Sequence, residues 1–167
     1  MKVTDLETIF TALQDTGARY LLVGGLAVIA HGYVRTTEDV DLVLELGSPL
    51  ASKAIAALEQ LGYRPLIPVR MQDFTDPGQR KDWIENRHMK VFNLVSDRFP
   101  ETSIDIFPQE PFAFETEFAA ATWKEISPKL RIPVVSISTL IAMKTRAGRP
   151  QDQVDIDKLR RLHGSEQ

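Results

Sequence analysis

The stretch YLLVGGLAVIAHGYVRTTEDVDLVLEL, residues 20–46, decides how the rest of this chain is read. Tyr20 to Val23 is a short apolar run of the kind that forms a buried strand. Gly24-Gly25 follows, and then Leu26 to His31, which lacks alternation and reads as a short helix ended by Gly32. Asp39 to Leu46 alternates at first and is rich in Val and Leu, which predicts a second strand. The order is therefore strand, glycine turn, helix, strand.

Outward from that unit, Thr4-Asp5-Leu6-Glu7 has the form of a capping box, and Leu6, Ile9, Phe10 and Leu13 recur at helical spacing, so a first helix is expected to about Thr16. Pro49 to Leu61 has the spacing of an amphipathic helix. Further strands are expected at Lys90–Val95, Ser103–Phe107 and Leu130–Val134, and helices at Gln79–Asn86, Phe112–Ala121, Ile137–Arg146 and Gln151–Leu162. The Lys90–Val95 and Ser103–Phe107 strands suit an antiparallel hairpin. Interleaved strands and helices with short connections predict an α/β (α+β) fold with a mixed central sheet flanked by helices. Pro68 to Arg87 reads as a long wet interruption carrying Arg70, Arg80, Lys81 and Arg87 with Phe74 and Trp83. Such a loop suits either an acceptor-binding role or an ordinary surface helix.

The 167 residues, 43% hydrophobic and 26% charged, suit one domain over 1–167, with the helices of 137–163 packed on its core. No cysteine is present, which excludes disulfides and thiolate metal sites and leaves oxygen or imidazole for any metal. No apolar stretch approaches the roughly 20 residues of a membrane span, so a cytoplasmic location without membrane contact is expected. A net charge of −3 argues against a protein that coats nucleic acid non-specifically.

Asp39 and Asp41 stand at i and i+2, so on a strand they project from one face, about 6 to 7 Å apart. Like charges side by side on a strand of Val40, Leu42, Val43 and Leu44 need compensation. A divalent cation held by carboxylates and phosphate oxygens supplies it, and so does solvent at a strand end or pairing with Arg35. Gly24-Gly25 admits two functions as well: a close seat for phosphate, or a tight turn that packs helix on strand. The carboxylate pair begins 14 residues after Gly25, which would bring cation and phosphate ligands together.

Val23-Gly24-Gly25, thirteen intervening residues and then Asp39-Val40-Asp41-Leu42 resemble the signature of the nucleotidyltransferase superfamily with the DNA-polymerase-β-like core. The local form is similar to minimal nucleotidyltransferases and to the abortive-infection nucleotidyltransferase toxins of type IV toxin–antitoxin systems. Gly25 stands where many members carry a serine. The resemblance implies a mostly antiparallel central sheet and a third carboxylate on a neighbouring strand, which Asp105 in Ser103-Ile104-Asp105-Ile106-Phe107 matches. It also implies a helical lysine near the nucleotide, matched by Lys144. Each has a plainer reading, Asp105 as a paired structural residue and Lys144 as a solvated one. Arg35 fits a phosphate or a carboxylate partner, and Asp152 and Asp155 are expected to cap the last helix or pair with Lys144 or Arg149. His31, His88 and His163 read as surface or packing residues.

The activity so implied is transfer of a nucleoside monophosphate from a nucleoside triphosphate to an acceptor hydroxyl of a tRNA, a protein or a small molecule, with Mg²⁺. Asp39, Asp41 and Asp105 would be catalytic and metal-binding, and Gly24, Gly25, Arg35 and Lys144 nucleotide-binding. ATP is one candidate donor, and an antitoxin or a second copy of the chain a candidate partner. The alternatives are a non-catalytic nucleotide- or metal-binding module of the same fold acting as a regulatory or toxin–antitoxin partner, and a scaffold whose aspartates pair with Arg35 and Lys144.

Overall fold

The computed structural model describes residues 1–164. Helix α1 (Val3–Asp15) buries Ile9, Phe10 and Leu13 on one stripe. Its first helical residue is Val3, so Thr4 lies inside the helix and caps nothing with its side chain; the expected capping box does not form. The apolar run becomes β1 (Tyr20–Val23), buried along its whole length, and the glycine pair opens the seven-residue helix α2 (Gly24–Ala30). Strand β2 (Asp39–Leu44) is followed by α3 (Leu50–Gln60) and a two-residue strand β3 (Arg64–Pro65).

Residues 68–87, expected as a long wet interruption, are structured, and the helix expected over 79–86 is present within them. A 3₁₀ turn at Met71–Thr75 leads into α4 (Pro77–Arg87), whose start is capped by the Asp76 carboxylate accepting from the Gly78 and Gln79 N–H groups. Phe74 and Trp83 are fully buried and stack on Phe92, with ring centroids 5.0 and 5.3 Å away. They belong to the core and offer nothing to an acceptor. The charges nearby are matched locally as well, Arg70 with Asp73, Lys81 with Glu85 and Arg87 with Asp82, while buried Arg80 donates to the Phe74 carbonyl at 2.7 Å.

Strands β4 (Phe92–Val95) and β5 (Ser103–Ile106) form the expected antiparallel hairpin. Then come α5 (Phe114–Ala119), β6 (Thr122–Ser127), β7 (Leu130–Val134), α6 (Ile137–Ala147) and α7 (Pro150–His163). The seven strands make one sheet in the order β3-β4-β5-β2-β1-β7-β6. Four of its pairings are antiparallel, whereas β2 with β5 and β1 with β7 are parallel, which makes the sheet mixed and mostly antiparallel as expected. Strands β3 and β6 lie at its two edges; neither shows an apolar run in sequence, because an edge strand is half solvated. Helices α6 and α7 pack on each other, and α6 also touches α2, so the C-terminal pair closes over the end of the sheet where β1 delivers its glycines.

Candidate active site

Strand β2 runs between β1 and β5, and register does the rest. Asp41 is opposite Val23 on one side and opposite Asp105 on the other; Asp39 is opposite Ser103. Residues facing one another across a strand pair share a face, as do residues two apart on one strand, so Asp39, Asp41 and Asp105 emerge on the same side of the sheet. The alternate positions Val40, Leu42, Ile104 and Ile106 are fully buried on the other side and hold the strands in that register.

The glycines are needed for Asp41. Gly24 has φ +67°, and a Cβ built there would overlap the Asp41 carboxylate; Gly25 donates its N–H to that same carboxylate. A Cβ on Gly25 would lie 2.5 Å from Arg35 Nη2 and 2.7 Å from Thr37 Oγ1. The pair thus lets α2 start close enough for the acid and for the Arg35–Thr37 loop to lie against it. Burial pushes the Asp41 carboxyl up to about 7, with Asp105 and Asp39 adding like-charge repulsion against the Gly25 hydrogen bond and the more distant Lys144. Asp105 is raised as well, mainly by burial and also by Asp39, and is partly relieved by a hydrogen bond from Asn93 Nδ2 at 2.5 Å. Asp39 accepts from Ser103 Oγ.

Arg35 and Lys144 do not neutralise this cluster. Lys144, 6% exposed, lies 3.0 Å from Asp152 Oδ1 and 2.7 Å from Asp155 Oδ2. Arg35 Nε lies 3.1 Å from Asp155 Oδ1, and its Nη1 donates to the Thr36 carbonyl. Asp152 also accepts the Arg149 N–H at the start of α7, which is the capping and pairing role expected of it. Among the described residues, no ion pair includes Asp39, Asp41 or Asp105. A scaffold in which those aspartates pair with Arg35 and Lys144 is therefore not what the chain builds. His31 is a packing residue: its Nε2 meets the Val135 carbonyl at 2.8 Å, and His163 meets the His31 carbonyl at 2.7 Å.

The three aspartates open onto a cleft of about 700 Å³. Gly24, Gly25, Arg35 and the three aspartates lie on one side, while Leu140, Met143 and Lys144 come from α6. Exposed Lys90, Arg146 and Arg149 also line it. Among the described residues, no three acidic or imidazole side chains are arranged as a ready-made ligand set for one ion. The donors are nevertheless all carboxylate oxygens, repelling one another with no cation among them, and that fits magnesium completed by phosphate oxygens.

Residues 9–167 match the family of the nucleotidyl transferase AbiEii toxin of type IV toxin–antitoxin systems. The chain belongs to this family. Its fold is also that of solved nucleotidyltransferases. The lincomycin-bound lincosamide antibiotic adenylyltransferase LnuA is 17% identical with a TM-score of 0.64, over 95% of this chain and 96% of that one. The antibiotic-resistance factor ANT(2'')-Ia, solved in complex with adenylyl-2''-tobramycin, is 18% identical with a TM-score of 0.58, over 94% and 86%. A solution structure of ANT(2'')-Ia gives 18% and 0.59, over 98% and 83%. A comparison with curated proteins returned no match. Nucleotidyl transfer is the activity for which the family is named.

In this AbiEii-family chain the sequence pattern does not single out Asn93, Ser103 or Thr37, nor does it gather Lys90, Arg146 and Arg149 into one basic set. Asn93 and Ser103 carry a signal only once register is known, since they face Asp105 and Asp39 across the strands. Arg146 and Arg149 flank the α6–α7 turn, and only the fold brings Lys90, from a distant segment, to the same cleft.

Proposed function

We propose that the protein transfers a nucleoside monophosphate from a magnesium-bound nucleoside triphosphate to an acceptor hydroxyl. The observation that carries this reading is the set of three carboxylates on one sheet face, lining a cleft without an ionic partner. Asp39, Asp41 and Asp105 would hold magnesium, which when bound would supply charge to neutralise the triphosphate and acidify the attacking hydroxyl. The acceptor oxygen bonds to the α-phosphorus as the bond to the oxygen bridging toward the β-phosphorus breaks, and pyrophosphate leaves with that electron pair. The hydroxyl proton passes to Asp105 Oδ2, the oxygen that Asn93 does not hold. Arg35 and Lys144 line the same cleft while paired with Asp155 and Asp152, and their positive potential would offset charge on the departing pyrophosphate, with Gly24 and Gly25 leaving room for the triphosphate to approach.

The rim of Lys90, Arg146 and Arg149 favours a polyanionic acceptor, and among acceptor classes tRNA fits best. A protein or a small molecule is the alternative, and small molecules are what the two antibiotic-modifying neighbours hold. Membership of a type IV toxin–antitoxin family supports an antitoxin as partner. Among the described residues, no helix is long and apolar enough to cross a membrane.

The deciding experiment incubates the protein with each α-labelled triphosphate, Mg²⁺ and cell extract, and then treats the product with ribonuclease or protease. Label that ribonuclease releases supports an RNA acceptor. Calorimetric binding of Mg²⁺ and triphosphate with no label transferred under any condition would leave a regulatory binding module as the function and refute the enzyme.

A further inference from the structure

Each of the three carboxylates takes one neutral hydrogen-bond donor and no cation. Gly25 N–H holds Asp41, Asn93 Nδ2 holds Asp105, and Ser103 Oγ holds Asp39. The two side-chain donors come from the strand positions directly opposite the acids they hold, Asn93 on β4 facing Asp105 and Ser103 on β5 facing Asp39. We infer that Asn93 and Ser103 are positioning residues for a divalent cation, fixing the two outer carboxylates while leaving their charge intact.

The physical case is one of competition. A free aspartate on a strand samples several rotamers, and an arriving ion has to order them; a donor already in place removes that cost. An arginine or lysine in the same position would order the acid too, but it would cancel the charge the ion needs and compete with it for the same oxygens. An amide or a hydroxyl occupies one of the roughly four lone-pair sites of a carboxylate and leaves the others free. The chain follows this division closely. Arg35 and Lys144, two cations that line the same cleft, are drawn onto Asp152 and Asp155, and Arg149 acts on Asp105 only at a distance. The neutral donors are reserved for Asp39 and Asp105. Neither Asn93 nor Ser103 needs to touch the nucleotide; each acts through the acid it holds.

This rests on the function proposed above, and metal binding tests it without turnover. Mn²⁺ binding, in the presence of a non-hydrolysable triphosphate, is followed by paramagnetic resonance for the wild type, Asn93→Ala, Ser103→Ala, Ser103→Thr and Asp105→Asn. Asn93→Ala and Ser103→Ala are each expected to weaken Mn²⁺ by about tenfold. Their thermal midpoints without metal should stay close to that of the wild type. Ser103→Thr, which keeps the hydroxyl on a strand-compatible side chain, is expected to restore the affinity. In transfer assays, raised Mn²⁺ should recover turnover in both alanine variants but not in Asp105→Asn. If Asn93→Ala destabilises β4, the Ser103 pair, a smaller change, still decides the matter. Alanine variants that bind Mn²⁺ as tightly as the wild type while Asp105→Asn binds weakly would overturn the positioning role and leave the carboxylate site standing. A wild type that binds no Mn²⁺ with triphosphate present would sink the proposed function, and this inference with it.

Discussion

At Asp41, burial and two neighbouring acids push the carboxyl from an ordinary 3.8 to about 7, so folding depends on how that proton is held. Between those values the folded chain keeps a proton that the unfolded chain has released, and stability therefore falls as pH rises through that window. Without divalent cations, the thermal midpoint is expected to be lower at pH 8 than at pH 5. Asp41→Asn removes the titration and should raise the midpoint at pH 8 while moving it little at pH 5, as calorimetry would register. The same substitution should lower nucleotidyl transfer at least about a hundredfold by removing charge aimed at the reacting phosphate. A midpoint independent of pH in both proteins would show that Asp41 is not held in this way. The two glycines differ in a measurable sense. Gly24→Ala meets the Asp41 carboxylate from a backbone with positive φ and should cost about 1–3 kcal/mol. Gly25→Ala meets only the flexible ends of Arg35 and Thr37 and should cost less, so the order of their urea midpoints is the check. Both glycines and both aspartates are legible in sequence because each violates a local preference, glycine beside a helix and aspartate within a strand. Asn93 and Ser103 violate little and become visible only across the ladder.

Secondary-structure elements divide in the same manner. Strand β7 and the β4–β5 hairpin stand out because their apolar positions are buried; β6, with exposed Thr122 and Trp123, leaves no such trace. The 71–87 segment misleads in the opposite direction, because its charged surface hides two aromatic residues that point inward. Trp83→Ala is expected to cost about 3–5 kcal/mol in urea unfolding, since it empties a stack on Phe92. A cost typical of a surface change would contradict that placement. Helices α6 and α7 meet through charge as well as apolar contact. Asp155, fully buried, serves both Lys144 and Arg35, and Asp155→Ala should destabilise the chain by about 3 kcal/mol, because it leaves buried positive charge short of a partner. Denaturant titration measures this directly.

Over the molecule as a whole, the strand order puts β2 at the centre with an antiparallel neighbour on one side and a parallel one on the other, and this arrangement makes acids 64 residues apart in sequence neighbours in space. Local periodicity predicts the strands but says nothing of which lies beside which; the resemblance to nucleotidyltransferases is what makes Asp105 a candidate. The basic rim is less accessible still, because Lys90, Arg146 and Arg149 belong to no shared motif. The anchoring of Arg35 and Lys144 by Asp155 has a further consequence. The closing helix works as electrical insulation, parking two positive charges in the same cleft as three acids that no cation pairs with. A protease cut in the Gly148–Pro150 turn, or a partner that peels α7 away, would release them to short-circuit the carboxylate cluster, and with it the magnesium seat we propose, without altering any residue of the sheet.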